Sequence, residues 1–311
     1  MTKLDHTFFQ MQHAVWKNRK SIRAKDEPIQ SVAPKPSDAD LAEAKGKVDH
    51  GKVACVVLAG GMGTRLGVAG PKGCVKLPSY DNQTLFEVVL SKTQGMPVAV
   101  MCSPQNLYET TQALVEVPCS VVCQSQMPLL DENGQWIEKD GQPLMGPDGN
   151  AGVFAALERE GVLDAWAKLG VECISVVPID NPKADPRSSV QIAALKDTEL
   201  AVIAIEPSEG TGILTEKEGA LCVAEYSEVP VGGPYAYSGL FGITMDFAAR
   251  CGKANMDLLP WHIAEKEVEG QQVYKFERFI FDWFRFAKSY KVVFQPQEIC
   301  FAPIKHKEDI E

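Results

Sequence analysis

LAGGMGTRLGVAGPKG, residues 58–73, directly follows the apolar run VACVVL at residues 53–58. A buried strand that leads into a glycine-rich loop is typical of α/β folds that bind phosphate at the carboxyl end of a strand. Gly60, Gly61 and Gly63 carry no Cβ, so the backbone there can approach a ligand closely. Consecutive backbone N–H groups can then point at a bound anion. The stretch therefore predicts a phosphate-binding loop in an α/β protein.

Two basic residues, Arg65 and Lys72, accompany these glycines. A guanidinium forks onto phosphate oxygens and an ammonium supplies a point charge, so both suit a phosphate ligand. A Walker A loop is excluded because GxxxxGK[ST] is not spelled here. The dinucleotide motif GxGxxG is incomplete, since Leu66 occupies its last position and Gly67 comes one residue late. A turn with a purely structural role would explain one or two glycines but not the accompanying Arg65, Lys72 and Lys76.

Short apolar runs alternate with helical periodicity from residue 51 onward, which indicates βαβ units around a mostly parallel central sheet. The predicted strands after the first are PVAVMC (97–102), SVVC (120–123), CISVVPID (173–180) and AVIAIE (201–206). Helices are predicted near residues 84–93 and at 151–168. From about 207 to 275 the chain is richer in Gly, Pro and Tyr, which favours an antiparallel insert.

The first fifty residues differ from this pattern, and we interpret residues 1–50 as a short helical N-terminal arm beside a core of residues 51–311. Spaced apolar residues predict an amphipathic helix, and they are Phe8, Phe9, Met11, Val15 and Trp16. Three prolines then mark a linker, and Ser37 is placed to cap a second helix. The arm is expected to pack on or cap the core without taking part in chemistry.

Composition excludes several classes of protein. With 311 residues, 45% hydrophobic and 23% charged, the chain is neither collagen-like nor wholly disordered. The net charge of −10 argues against a nucleic-acid partner or an anionic membrane surface. Nine cysteines without a CxxC spacing favour reduced thiols, and the five histidines show no paired zinc-binding spacing. No signal peptide or apolar run of membrane-spanning length is evident, so we expect a cytoplasmic protein.

The glycine-rich stretch resembles the signature LAGGxGTRLGxxxPKG of the UDP-N-acetylhexosamine pyrophosphorylases, a branch of the eukaryotic-type UDP-sugar pyrophosphorylases. Similar stretches follow in the order of that family: QSQMP (124–128), GPDGNAGVFAAL (146–157), PIDNPKADP (178–186), EYSE (225–228), FERFIFDWFRFAK (276–288) and FAPIK (301–305). The resemblance spans about residues 53–305. It implies a Rossmann-like nucleotidyltransferase core that joins UTP and a sugar 1-phosphate, releases pyrophosphate and uses Mg²⁺.

The resemblance also implies residues that bind the nucleotide, in the glycine loop and around the uracil base. They are Gly60, Gly61, Gly63, Thr64, Gln124, Gly149 and Asn150. Arg65 is expected to contact the pyrophosphate end of UTP, and Lys72 the reacting phosphates. Lys305 is expected to reach the phosphate of the sugar.

A sugar-binding part at about residues 207–275, with aromatic residues after it, is implied in the same way. The corresponding positions are Gly212, Glu225, Ser238, Phe279 and Phe281. Ser238 is the nearest polar substitute for an asparagine that the family places in a NIANH-like segment. N-acetylglucosamine 1-phosphate is the expected substrate, but this departure leaves open a UDP-glucose or broad-specificity UDP-sugar pyrophosphorylase. A non-catalytic UDP-sugar-binding protein is a second alternative.

Asp180 is the candidate metal ligand, because it ends the apolar run CISVVPID. The carboxyl edge of a parallel sheet is where open α/β folds bind ligands. Mg²⁺ prefers hard oxygen ligands, commonly one or two carboxylates completed by substrate phosphates and water. The sequence identifies no second protein ligand, and it predicts no oligomeric state.

Overall fold

The computed structural model describes residues 3–18, 26–225, 232–268 and 270–310. Its α-helices are α1 (Lys3–Lys17), α2 (Asp38–Asp49), α3 (Leu85–Leu90), α4 (Leu107–Ala113), α5 (Val153–Arg159), α6 (Val162–Lys168), α7 (Ser189–Ala194), α8 (Met245–Lys253) and α9 (Gln297–Cys300). Its strands are β1 (Glu27–Pro28), β2 (Val53–Leu58), β3 (Lys76–Leu77), β4 (Gln83–Thr84), β5 (Val98–Cys102), β6 (Ser120–Cys123), β7 (Gln126–Pro128), β8 (Glu138–Lys139), β9 (Gln142–Pro143), β10 (Met145–Pro147), β11 (Cys173–Pro178), β12 (Leu200–Ile205), β13 (Ile213–Lys217), β14 (Ala220–Ala224), β15 (Ala236–Thr244), β16 (His262–Val268), β17 (Gln271–Glu277) and β18 (Tyr290–Phe294).

The main sheet has the order β1-β13-β15-β11-β2-β5-β6, and β14, β12 and β18 pair beside this path. The pairs β11–β2, β2–β5, β5–β6 and β12–β18 are parallel. Strand β15 runs antiparallel to both β11 and β12. The predicted α/β fold with parallel strands at the centre of the sheet is therefore confirmed.

Both faces of this sheet are buried, which is why its strands appear in the sequence as continuous apolar runs. In β2, Val53, Cys55 and Val57 belong to one buried cluster, whereas Ala54 and Val56 belong to the other. Helices α2, α3 and α7 contribute to the first cluster, and α5, α6 and α8 to the second. The strand ends, rather than the strand faces, are thereby left to form a binding site.

Two predicted helices differ from the observed ones. The helix expected at residues 151–168 is two helices, α5 and α6, because Gly161 adopts a left-handed conformation with φ of 71° between them. The helix expected near 84–93 ends at Leu90 and continues as a 3₁₀ turn over Ser91–Thr93. The insert predicted between 207 and 275 does contain antiparallel hairpins, formed by β13–β14 and β16–β17.

The N-terminal arm packs on the core at three places. The aromatic side of α1 lies against a small buried cluster that includes Leu130 and Tyr274. Strand β1 pairs antiparallel with β13, and α2 buries Ala44 and Val48. Ser37 caps α2 as predicted, since its Oγ accepts from the backbone N–H of Asp40. The division of the chain at residue 50 stays a prediction.

In the part of the chain that the structure describes, no helix is long and apolar enough to cross a lipid bilayer.

Candidate active site

A cleft of about 290 Å³ lies at the carboxyl ends of the central strands β2 and β11. The loop after β6, the segment after β10 and the end of β17 complete its walls. Open α/β sheets bind ligands at this edge. The predicted site residues that line the cleft are Gly60, Gly61, Lys72, Gln124, Gly149, Asn150, Asp180 and Phe279. Segments far apart in the sequence therefore meet where the motifs predicted a site.

The glycine loop folds back on itself, which brings its two ends together. The N–H of Gly63 donates to Gly70 O at 2.8 Å, and the N–H of Lys72 donates to Gly61 O at 3.0 Å. Between them, Thr64–Leu66 forms a 3₁₀ turn. Arg65 on this turn is exposed and lies outside the lining of the cleft. The fold-back places Lys72, rather than Arg65, beside the first glycines.

Lys72 and Asp180 form an ion pair inside the cleft, with Nζ and Oδ2 3.1 Å apart. The side chains are 17% and 27% exposed, so the pair is partly shielded from water and remains accessible to a ligand. The strands that precede them, β2 and β11, are neighbours in register, with Leu58 opposite Pro178. The backbone of Asp180 is also fixed, because its carbonyl accepts from the N–H of Ile304 at 2.7 Å. The predicted phosphate-binding lysine and the predicted metal ligand are thus in direct contact.

Gln124 and Gly149 lie on the wall expected to hold the uracil base. Gln124 is only 7% exposed, and a Cβ on Gly60 would lie 2.8 Å from its Oε1, so any larger residue at position 60 would displace this amide. Gly149 has φ of +91°, and a Cβ there would overlap the carbonyl oxygen of Arg278. Asn150 accepts at Oδ1 from the N–H of Ile280 at 2.8 Å, so its side chain holds two walls together.

Strand β17 supplies a third wall, which the sequence analysis missed apart from the aromatic residue that follows it. Lys275 and Glu277 line the cleft with Phe279, and Lys275 Nζ lies 2.8 Å from Glu277 Oε1. Tyr274 and Phe276, which alternate with Lys275 and Glu277 along the strand, are buried on its other face. This alternation of charged and aromatic residues along YKFE was the available signal.

Asp148 lies beside this wall, next to the predicted base-binding segment. Burial raises the pKa of its carboxyl to about 6, against the opposing effect of Arg278 and Lys275. The charge of this group therefore changes in the physiological range of pH, close to the cleft.

The predicted sugar-binding residues fall into two groups. Gly212 and Glu225 are neighbours, since a Cβ on Gly212 would lie 3.7 Å from Glu225 Oε1. Phe279 faces the cleft, whereas Phe281 is 6% exposed and packs behind it with ring centroids 5.1 Å apart. The remaining residues of the EYSE motif, at 226–228, lie outside the described residues.

Ser238 is placed differently from what its predicted role requires. It is 2% exposed, and its Oγ donates to Ile203 O at 2.6 Å and accepts from the N–H of Leu240 at 3.2 Å. The pairing of β12 with β15 shifts its register here, and the hydroxyl satisfies the backbone at that irregularity. The structure thus engages this hydroxyl inside the sheet, and its contact with a sugar stays an untested prediction.

The C-terminal segment carries Lys305, which is not among the residues that line the cleft. Asn181 anchors this segment, donating from Nδ2 to Cys300 O at 2.7 Å and accepting at Oδ1 from the N–H of Ala302 at 3.0 Å. Lys305 Nζ donates to Gly210 O at 3.2 Å. A Cβ on Gly67 would overlap the side chain of Lys307, so this lysine, which the motifs did not indicate, packs on the loop.

Asp180 is compatible with Mg²⁺ only if other oxygens complete the site. Among the described residues, no three His, Cys, Asp or Glu side chains cluster in a way that could hold a metal ion. One carboxylate completed by phosphate and water oxygens is a common arrangement for Mg²⁺. The residues present therefore fit a metal ion that enters together with a phosphate substrate.

This fold and cleft define an α/β protein with a glycine-rich loop at the carboxyl ends of its central parallel strands. The family model described as UTP–glucose-1-phosphate uridylyltransferase matches residues 5–233. The chain belongs to this family.

Similar proteins carry names from the same family. The chain is 28% identical over 321 residues to the "Probable UDP-N-acetylglucosamine pyrophosphorylase" of Schizosaccharomyces pombe, covering 84% of this chain and 67% of that protein. It is 29% identical over 315 residues to the human "UDP-N-acetylhexosamine pyrophosphorylase-like protein 1", covering 84% of this chain and 62% of the relative. The chain thus spans a little under two thirds of the length of the human relative.

A solved structure shares the fold. The uridine diphosphate N-acetylglucosamine pyrophosphorylase of Trypanosoma brucei, crystallised with an inhibitor, superposes with a TM-score of 0.80 at 23% identity. The match covers 97% of this chain and 74% of that one.

Proposed function

We propose that this protein is a uridylyltransferase that joins UTP and N-acetylglucosamine 1-phosphate to give UDP-N-acetylglucosamine and pyrophosphate. The observation that carries the proposal is the Lys72–Asp180 pair beside the glycine loop. This arrangement offers a cation and a carboxylate to the phosphates of one bound nucleotide. Family membership and the names of both relatives support the same activity.

The proposed reaction is an in-line displacement at phosphorus. A phosphate oxygen of the sugar 1-phosphate attacks the α-phosphorus of UTP, and the bond from that phosphorus to the bridging oxygen breaks. Pyrophosphate leaves with the electron pair, so no covalent protein intermediate is required. The protein must therefore align two anions and offset their repulsion.

The charged side chains divide this work. Lys72 contacts the reacting phosphates, Arg65 on its exposed turn contacts the pyrophosphate end, and Lys305 receives the sugar phosphate. Mg²⁺, held by Asp180 and phosphate oxygens, would neutralise negative charge on the phosphates. Each assignment places a cation where negative charge is present or develops.

The base and the sugar are held by the other walls. Gln124 offers both a donor and an acceptor to an imide edge, and Gly149 brings the backbone close to the same base. Glu225 accepts from sugar hydroxyls, and Phe279 covers the N-acetyl group. Substrates of this kind are small molecules, and the cytoplasmic location expected from the sequence belongs to the same proposal.

A UDP-glucose or broad-specificity pyrophosphorylase is the second candidate. Two observations favour it. The description of the family model names glucose 1-phosphate as the substrate, and the hydroxyl of Ser238 donates to a backbone carbonyl within the sheet.

Pyrophosphate release from UTP and Mg²⁺ with each of three sugar 1-phosphates distinguishes the candidates. We expect kcat/KM for N-acetylglucosamine 1-phosphate to exceed that for glucose 1-phosphate and N-acetylgalactosamine 1-phosphate by tenfold or more. A preference for glucose 1-phosphate would select the second candidate. Binding of UDP-N-acetylglucosamine without any turnover would show a non-catalytic protein and overturn the proposed activity.

A further inference from the structure

Three consecutive backbone N–H groups at the edge of the cleft have no acceptor in the described structure. They belong to Gly60, Gly61 and Met62, whereas the flanking N–H of Ala59 donates to Met101 O and that of Gly63 to Gly70 O. Gly60 and Gly61 line the cleft. Successive N–H groups of this kind form a concave anion-binding site.

Asn106 holds the carbonyl groups of the same stretch. Its Nδ2 donates to Ala59 O at 3.0 Å and to Gly61 O at 3.2 Å. Its Oδ1 accepts from the N–H of Ser103 at 2.8 Å. The residue is fully buried and precedes α4, but its side chain makes no hydrogen bond to the first turn of that helix. The amide that would ordinarily cap a helix is therefore used on the loop.

These two bonds determine which way the loop amides face. A trans peptide is planar, so each N–H points opposite to the carbonyl of the same peptide unit. Asn106 draws the carbonyls of Ala59 and Gly61 to one side, and the N–H groups of Gly60 and Met62 must point to the other. A third contact supports the same orientation, because Gly61 O also accepts from the N–H of Lys72 at 3.0 Å.

We propose that Asn106 is a positioning residue that orients the N–H groups of Gly60 and Met62 toward the phosphates of a bound nucleoside triphosphate. It acts through the loop and does not touch the ligand. The inference rests on the proposed function, since that function supplies UTP as the nucleotide.

Asn106→Asp is the sharpest variant because it keeps the acceptor for Ser103 and removes both donors to the loop. An ionised carboxylate would repel the two carbonyls, and a carboxyl that burial keeps protonated can donate to only one of them. The loop peptides are therefore expected to rotate in either state. Gln191→Glu is the matched control, since Gln191 is 1% exposed and its Nε2 donates to Ser175 Oγ away from the cleft. Asn106→Ser, whose shorter side chain does not reach both carbonyls, serves if the aspartate variant does not fold.

The test compares equilibrium binding of UTP and of uridine by titration calorimetry and ligand-observed NMR. Asn106→Asp should weaken UTP binding by tenfold or more and change uridine binding by less than twofold, because uridine has no phosphate. In turnover, KM for UTP should rise more than kcat falls. Gln191→Glu should leave the affinity for UTP within twofold of that of the unchanged protein, even if thermal melting shows that it loses as much stability as Asn106→Asp.

The outcomes separate this inference from the activity. If the protein itself does not bind UTP, the proposed function fails. If it binds UTP and Asn106→Asp binds UTP equally well, only the positioning role is overturned. An equal loss of UTP and uridine binding would also overturn it, because that result indicates a general collapse of the cleft.

Discussion

Lys72 and Asp180, 108 positions apart in the chain, show how single residues build this site. Neither is exceptional alone: one follows a proline in a loop and the other ends a strand. Because β2 and β11 are adjacent and parallel, the two side chains meet at the same edge of the sheet. Each neutralises the other, so neither charge is left without a counter-charge in the partly buried cleft. The motifs identified both residues, but their contact is a product of strand order.

Lys72→Met should lower kcat by a factor of about 10² to 10³, because it removes a cation from the reacting phosphates and keeps most of the side-chain volume. Initial rates of pyrophosphate release measure the effect. Lys52→Met is the matched control, since Lys52 pairs with Glu172 at 2.7 Å on the surface and should retain normal turnover. Near-normal rates for Lys72→Met would remove this lysine from the reaction.

At the scale of secondary structure, strand β17 joins the arm to the cleft. One face of the strand carries Lys275 and Glu277 to the cleft, and the other packs Tyr274 and Phe276 under α1. An arm of no predicted chemistry therefore lies directly behind a wall of the site. The amphipathic pattern predicted α1, but no local pattern indicated which element it would cover.

Gln12→Ala should destabilise the contact between α1 and this wall. Gln12 is 1% exposed, donates from Nε2 to Pro128 O at 2.7 Å and accepts from Trp136 Nε1 at 2.8 Å. Its loss leaves the buried carbonyl of Pro128 and the partly buried indole N–H of Trp136 unpaired, which costs about 1–3 kcal/mol in the free energy of unfolding. Urea denaturation measures this, and exposed Gln112→Ala should change it by less than about 0.5 kcal/mol. Equal effects for both variants would contradict the packing of α1.

Glu199 links three elements and should make stability depend on pH. Glu199 lies just before β12 begins. Its carboxylate oxygens accept from the guanidinium of Arg250 in α8 at 2.7 and 2.8 Å and from the backbone N–H of Lys288 at 2.8 Å. The hydrogen bonds from Arg250 are the main reason that the pKa of this carboxyl is lowered to about 2. In the unfolded chain this glutamate has a pKa of about 4.3. The ionised carboxylate therefore stabilises the folded protein above that pH, and this stabilisation is lost as pH falls toward 2.

Glu199→Gln should therefore reduce the free energy of unfolding by about 2 kcal/mol at pH 7, and the difference should shrink between about pH 5 and pH 2. Urea denaturation across this range gives the measurement. Glu43→Gln is the control, because the pairs of Glu43 are exposed and should contribute less than about 0.5 kcal/mol. A difference that does not vary with pH would refute the electrostatic origin.

At the scale of the whole molecule, the net charge of −10 is unevenly distributed. Residues 51–80 contain four basic residues and no acidic ones, a segment charge of +4. The structure reduces the effective charge, because Lys52 and Lys72 have acidic partners. Lys52, Arg65 and Lys76 are the exposed cations of this segment, and of these three Lys52 is paired with Glu172. A localised positive region can attract a triphosphate to an otherwise acidic protein.

Raising KCl from 0.1 to 1 M should increase KM for UTP about threefold or more, because the screening length falls from about 10 Å to about 3 Å. The change in kcat should be less than twofold, since Lys72 and Asp180 are partly shielded. Arg65→Gln should flatten the salt dependence of KM, which steady-state kinetics at several salt concentrations would show. A KM that does not respond to salt would exclude steering by the exposed cations.

The sequence by itself determined the α/β class, the glycine-rich loop and about half of the residues that line the cleft. Apolar runs between helical segments follow directly from a sheet buried on both faces, and the glycines reflect close backbone approach. Only the tertiary structure decided the Lys72–Asp180 pair, the hydrogen bonds of Asn106 to the glycine loop and the internal bonds of Ser238. These depend on strand order, a register shift and contacts between distant segments, and long-range contacts leave no local pattern in a single chain.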